Sequence, residues 1–511
     1  MTNVRKSGIL LHPTSLPGRW GIGDLGAAAY AFVDFLAAAG QRLWQVMPLG
    51  PTGYGDSPYQ GFSAFAGNPL LISFDLLLQE GLLAPEDLAD AADFGDGSVD
   101  YGAVIPLKLG VLRRSFERFK AVATPEQRRA IADFRTDQRG WLADYALFAA
   151  IKESHGGTNW NAWEPAIARR DPSVIGEWAS RLSYQTEFQA YMQFMFFEQW
   201  RRLKAYANER GIQIIGDIPI FVAYDSADVW ANRNLFELDD DGNPTVVAGV
   251  PPDYFSVTGQ LWGNPLYHWN VIARQGYRWW IERFRATLTL VDIARIDHFR
   301  GFAAYWEVPA SEETAINGRW VRGPGEALFA AVRKALGRLP IIAEDLGVIT
   351  PDVEALRDNL GFPGMKVLQF AFGGDSTGPY LPHNYLPHCI VYTGTHDNDT
   401  TIGWWNTAMP SDRHNVKLYL GRDGSDISWD FIRLALASVA EMAVVPMQDV
   451  LNLGSEGRMN TPGSPGGNWG WRYTEDMLTP ELAQRLRSLT EIYGRVKKAE
   501  PSDTSVLSSE F

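Results

Sequence analysis

Leu290-Val291-Asp292-Ile293-Ala294-Arg295-Ile296-Asp297 is a short apolar run that closes on two charged residues. A run of this length and composition reads as a parallel strand covered on both faces. Alternation along a strand puts residues i and i+2 on one side, so Arg295 and Asp297 share a face. Seven more runs have the same form. They are Gly8 to His12, Leu43 to Pro48, Ile212 to Asp217, Pro340 to Asp345, Met365 to Phe370, Ile390 to Asp397 and Ala443 to Asp449.

Helical segments separate many of them. Ala27 to Ala39 is Ala-rich and stops at Gly40; Phe188 to Asn208 is long, aromatic and amphipathic; Glu326 to Leu336 precedes Gly337; Ser428 to Met442 precedes the eighth run. Eight strand–helix alternations predict a (β/α)8 TIM barrel rather than an open sheet. Active sites of such barrels lie at the carboxyl ends of the strands. Those ends carry His12, Asp217, Asp297, Glu344 and Asp397. The expected organisation is a single catalytic barrel over residues 1–500, interrupted between strands. One insertion covers about 50–210 and a second, with a substrate loop, about 218–288; residues 501–511 form a Ser-rich tail. Leu238-Asp239-Asp240-Asp241-Gly242-Asn243-Pro244 lacks the register of a calcium loop and reads as a turn.

The 511 residues carry 46 Lys plus Arg against 60 Asp plus Glu, a formal charge of −14. That balance disfavours nucleic acid and anionic membrane surfaces as partners. No segment has the apolar length of a transmembrane helix, and the first residues lack a signal-peptide core, so the expected location is the cytoplasm. The one cysteine, Cys389, reads as a buried strand residue. Trp, Tyr and Phe make up 13% of the chain. Such rings fill a large core or line a sugar cleft, and composition leaves both readings open. Gly21-Ile-Gly23-Asp-Leu-Gly26 fits a dinucleotide fingerprint by spelling, but two prolines separate it from the strand and the later acid is absent.

Asp297, Glu344 and Asp397 end the fourth, fifth and seventh runs and converge on one barrel mouth, a setting suited to glycosyl transfer. Unpaired buried charge is costly, so acids so placed have a partner or a task. Retaining transfer needs two carboxyls, one to attack the anomeric carbon and one to move protons; a third can hold hydroxyls and stabilise positive charge. Arg295 is placed to keep Asp297 ionised, and His396 to donate to a sugar hydroxyl.

Arg295-Ile-Asp297-His298-Phe-Arg-Gly301, Ala343-Glu344-Asp345-Leu-Gly347 and Gly394-Thr395-His396-Asp397-Asn398 resemble signatures of the α-amylase clan in the form of glycoside hydrolase family 77. Ile9 to Pro17, Pro51 to Tyr59, Gly216 to Phe221, Pro252 to Pro265 and Gly466 to Trp469 extend the likeness from about residue 7 to 473. The resemblance implies a 4-α-glucanotransferase that moves 1,4-α-glucan segments to the 4-hydroxyl of glucose or another glucan, by disproportionation with cyclisation open. It implies Asp297 as nucleophile, Glu344 as general acid and base, and Asp397 as transition-state stabiliser. It further implies that Arg295, His396, Asp217 and Tyr59 line the subsite of the distorted ring, and that Ser57, Trp262 and Asn468 contact neighbouring units. Tyr54 would belong to a second glucan site on the surface. No cofactor, no catalytic metal and no C-terminal β-sandwich are expected. Partners would be maltodextrin, amylose or glycogen-type glucans; the oligomeric state stays open. A mainly hydrolytic relative and a non-catalytic glucan-binding barrel are the rival readings. The segments Pro251 to Pro265 and Gly454 to Trp471 would wall out water, unless their aromatics only plug the core.

Overall fold

The structure is a computed structural model that describes residues 5–496, except 90, 92, 93, 96, 253–255 and 465. Among the described residues, twelve strands form two sheets. Eight are parallel: β1 (Lys6–Leu10), β2 (Leu43–Val46), β3 (Gln213–Pro219), β6 (Ile293–Asp297), β9 (Ile341–Ala343), β10 (Gly364–Val367), β11 (Cys389–Tyr392) and β12 (Met442–Pro446). The other four are β4 (Val246–Val250), β5 (Gln260–Pro265), β7 (Ala304–Pro309) and β8 (Arg319–Arg322).

The parallel sheet runs β10-β11-β12-β1-β2-β3-β6-β9. Its two ends meet where the Ala343 amide donates to the Pro363 carbonyl at 3.0 Å, and the Met365 amide to the Asp345 carboxylate at 2.6 Å. This is the expected (β/α)8 barrel. Parity along the strands sorts its layers. Leu10, Leu43, Ile215, Ile342, Met365, Ile390 and Val444 pack together inside. Their neighbours Ile9, Trp44, Ile214, Val391 and Val445 face outward against helices such as Ala27–Ala38 and Ser183–Glu209. Continuing the inward parity by two residues places Gln45, Asp217, Glu344 and, on β6, Arg295 and Asp297 above the apolar floor. Gly8 permits the β1–β2 approach, since a Cβ there would lie 2.2 Å from the Leu43 carbonyl oxygen.

Several boundaries differ from the sequence reading. The helix expected over Ser428 to Met442 is Ile427–Ala437, and Met442 already belongs to β12, because an apolar stretch alone does not mark where one element stops. Leu368–Phe370 leaves β10 as a 3-10 turn. The sequence reading places the β4–β5 pair in an inserted loop and does not distinguish β7 and β8. These four make an antiparallel sheet ordered β5-β4-β7-β8, fed by the loops after β3 and after β6. Leu238 to Pro244 is a turn closed by the Asn243 amide on the Asp239 carboxylate at 2.8 Å. Cys389 is buried at the start of β11.

Between β2 and β3 lie the helices Tyr101–Val122, Pro125–Asp137 and Leu142–Ser154, and then Ser183–Glu209, whose Trp200 indole donates to the Leu290 carbonyl at 2.8 Å. After β12 the described residues form helices and loops, with Pro480–Ile492 the last helix. The buried Arg495 guanidinium then binds the carbonyls of Lys6, Leu436 and Ser438, tying the segment after that helix to the barrel's start. The Ser-rich tail lies outside the described residues. No described helix is long and apolar enough to cross a membrane.

Candidate active site

Register sets the centre of the site. Asp217 on β3 pairs with Arg295 on β6, one strand over. The Arg295 Nη1 donates to Asp217 Oδ2 at 2.5 Å and to Asp297 Oδ1 at 3.2 Å. Its Nε meets the Met365 sulfur at 3.3 Å. Burial works against the guanidinium charge, but Asp217 and Asp297 hold it protonated. Asp217 in turn accepts from the Tyr59 hydroxyl at 2.6 Å, while Gln45, 3.5 Å away, accepts from the Tyr392 hydroxyl at 2.7 Å. Arg295, Asp217, Tyr59, Gln45 and Tyr392 thus satisfy one another's buried polar groups.

Glu344 stands one residue beyond β9. Its two carboxylate oxygens accept the backbone amides of His298 at 2.6 Å and Leu346 at 2.8 Å. His298 directly follows Asp297, so the Glu344 carboxyl is held beside the end of β6. Burial raises its proton affinity to about 7, with the Asp297 charge adding and Arg295 opposing. Burial also raises Asp297, but there the Arg295 guanidinium is a direct partner. The direct Arg295 contact thus favours the ionised form at Asp297 more than at Glu344.

The loop after β11 brings the third acid. The His396 imidazole stacks on Tyr59, with centroids 5.0 Å apart and planes 16° off parallel, and its Nε2 lies 3.4 Å from Asp397 Oδ2. Trp469 closes on both rings at 5.9 Å. Asp397 remains exposed, and its Oδ1 accepts from the Asn460 amide at 2.6 Å. Behind this loop His12 is buried and kept neutral, its proton affinity lowered to about 3 by burial and by His396. Among the described residues no group of three His, Cys, Asp or Glu side chains suits a metal ion.

Asp217, Arg295, Asp297, Glu344, Tyr59, His396 and Asp397 thus gather at one barrel mouth. Trp262 joins them through His298, its ring edge-on to the imidazole at 4.7 Å. Ser57 accepts the Tyr59 amide at 3.2 Å. Asn468 is occupied within its own loop, accepting the Thr461 amide at 2.9 Å and donating to the Ser464 carbonyl at 3.2 Å. Tyr54 stands apart, 80% exposed. Tyr254 and Phe255, expected in a wall of the cleft, lie outside the described residues. Sequence reasoning missed Gln45, Tyr392, Trp469 as a stacking partner, and Asn460. Strand parity could have found Gln45, whereas no spacing rule links Asn460 to Asp397.

Acids ringed by an arginine, a histidine and stacked aromatics, at the carboxyl ends of barrel strands, define a carbohydrate-active (β/α)8 enzyme. The sequence profile of the 4-alpha-glucanotransferase family matches residues 11–479. The Thermus thermophilus 4-alpha-glucanotransferase is 54% identical over 500 residues, covering 96% of this chain and 99% of that protein. The Synechocystis enzyme of the same name is 54% identical over 499 residues, covering 97% and 99%. Among solved structures, the Streptococcus agalactiae amylomaltase in complex with acarbose superposes with a TM-score of 0.93 at 42% identity, covering 96% of this chain and all of that one. The chain belongs to the 4-alpha-glucanotransferase family, the enzymes of disproportionating glucan transfer.

Proposed function

We propose that Asp297 attacks the anomeric carbon of a bound 1,4-α-glucan while Glu344 protonates the departing 4-oxygen. The bond from C1 to the leaving sugar breaks as the bond from C1 to the Asp297 carboxylate forms. An acceptor 4-hydroxyl, of glucose or another glucan, then gives its proton to Glu344 and its oxygen attacks C1, releasing Asp297. Two inversions retain the α configuration. Asp397 stabilises the positively charged ring, with His396 beside it as a hydroxyl donor. Arg295, Asp217 and Tyr59 shape the subsite of that ring. Ser57, Trp262 and Asn468 contact the flanking units, and Tyr54 offers an exposed ring to a second stretch of glucan.

The observation that carries this reading is the Glu344 carboxyl held 2.6 Å from the amide next to Asp297, while Arg295 binds Asp297. It supports two carboxyls of opposite protonation flanking one scissile bond. Transfer rather than hydrolysis requires that water be kept from the intermediate. Trp262 on one side and Trp469 on the other are suited to that. Incubating maltotriose with the protein and separating the products tests the reading. Glucose plus a ladder of longer maltodextrins is expected, and Asp297→Ala should give neither. Products from that variant at the wild-type rate would remove Asp297 from the nucleophile's role.

A further inference from the structure

His298 is the residue that joins the acid to the aromatic wall. It is one of six non-glycine residues with positive φ among those described, at φ 52° and ψ 51°. The left-handed region disfavours residues with a Cβ, so the surrounding structure must hold this one there. Its backbone and side chain face different partners. The amide donates to Glu344 at 2.6 Å. The imidazole lies edge-on to Trp262 at 4.7 Å, and its Nε2 is buried without a hydrogen-bond partner. Behind it Gly301 leaves room, since a Cβ there would come within 3.2 Å of the His298 ring. Burial and Arg300 keep the ring neutral, so its side chain adds no charge to the site. The ring is thus packed rather than hydrogen-bonded. Its orphaned nitrogen costs stability that an apolar ring would not.

We infer that His298 is a positioning residue which couples the Trp262 strand to the general acid, its ring supporting Trp262 while its left-handed backbone holds the Glu344 carboxyl in place. This rests on the proposed role of Glu344 and extends it. The charged and titratable groups facing Glu344 are Asp297 and Arg295 from β6 and Tyr380 from the segment after β10. Beside them, the His298 amide is one of two neutral donors to the carboxylate, with Leu346 the other. A neutral donor favours the ionised form, so its loss moves the acid's titration upward.

The experiment separates backbone from ring. Asn tolerates the left-handed region, whereas a β-branched residue does not. His298→Asn should keep the amide and lose the ring. The alkaline limb of kcat/KM for maltotriose should stay in place, while KM rises about 3- to 10-fold as Trp262 loses its support. His298→Val, which disfavours the left-handed backbone, should swing its amide off Glu344 and move that limb up by about one pH unit. Trp262→Ala should raise KM as the Asn variant does, and the double variant no further, because the two rings act as one unit. A limb unmoved in His298→Val, a limb moved in His298→Asn, or multiplying KM effects in the double variant would each overturn the inference. If the Val variant does not fold, the other three variants still decide. A wild-type protein that transfers no glucan would instead overturn the functional reading on which this one rests.

Discussion

Arg295 reaches Asp297, its neighbour two positions along the same strand, with one guanidinium nitrogen at 3.2 Å. The same nitrogen is held more closely by Asp217 at 2.5 Å. The cation is therefore anchored by one acid and offered to another. A lysine keeps a positive charge but not the length and rigid planar geometry that place this nitrogen between the two acids. Arg295→Lys should lower kcat for transfer about 100-fold. It should also move the acidic limb of the pH–rate profile upward, because a shorter cation anchored on Asp217 would oppose the burial of Asp297 less closely. Steady-state kinetics of maltotriose disproportionation across pH would measure both; an acidic limb that stays put would show that Arg295 serves Asp217 alone.

Glu344 should leave a mark on stability as well as on rate. Its proton affinity in the folded chain is raised to about 7, above the ordinary value of 4.5, chiefly by burial. A raised carboxyl favours folding fully below the unfolded value. That contribution is lost as pH rises from about 4.5 through about 7. Glu344→Gln cannot titrate. The difference in melting temperature, variant minus wild type, should therefore grow as pH rises from 5 to about 8. Thermal unfolding at a series of pH values reads it directly. A difference independent of pH would contradict the raised affinity. Transfer by the Gln variant should fall at least about 10³-fold, since an amide does not protonate the leaving oxygen.

Much of this site was legible before any coordinates, and the reason is parity. Arg295 and Asp297 share a face because they are two apart on a strand. Asp217 and Glu344 follow because they continue apolar runs whose inward positions are Ile215 and Ile342. The second sheet was not legible. Arg319–Arg322 is a four-residue strand that is mostly exposed, with neither alternation nor an apolar run to mark it. Its Trp320 is instead covered by the Arg300 guanidinium at 3.8 Å. Trp469 was noticed for its ring, but its stacking near Tyr59 depends on a left-handed backbone at φ 63° that the ring does not announce. The Asn460 contact to Asp397 joins positions 63 residues apart, through a loop whose path only the fold sets. Local pattern identifies side chains on regular elements; it says little about loops that meet above them.

Metal removal offers a simple control. Carboxylates here are balanced by Arg295 and by backbone donors, and no described cluster suits a metal ion. Transfer from maltotriose should survive EDTA and subsequent gel filtration unchanged. Loss of activity that calcium restores would contradict a mechanism carried by carboxylates and protons alone.

Asp449 provides the most stringent test of how the third acid is held. It is 1% exposed, yet forms no ion pair among the described residues. Its oxygens accept the Thr393 hydroxyl at 2.5 Å, the Thr401 amide at 2.7 Å and the Thr401 hydroxyl at 2.8 Å. Thr393 and Thr401 are the two ends of the loop that carries His396 and Asp397. One carboxylate thus pins both ends, and burial raises its proton affinity against those three donors. Asp449→Ala would leave the donors buried and unpaired, at a cost of about 1–3 kcal/mol each before relaxation. The expected result is a destabilised protein whose kcat falls about 10- to 100-fold with Asp397 still present. Asp449→Asn preserves the shape and can still accept from one side, so it should recover part of both losses. Urea unfolding paired with transfer kinetics would show it. A variant that loses stability but keeps full kcat would mean that Asp397 is held from elsewhere, through Asn460 and the loop above.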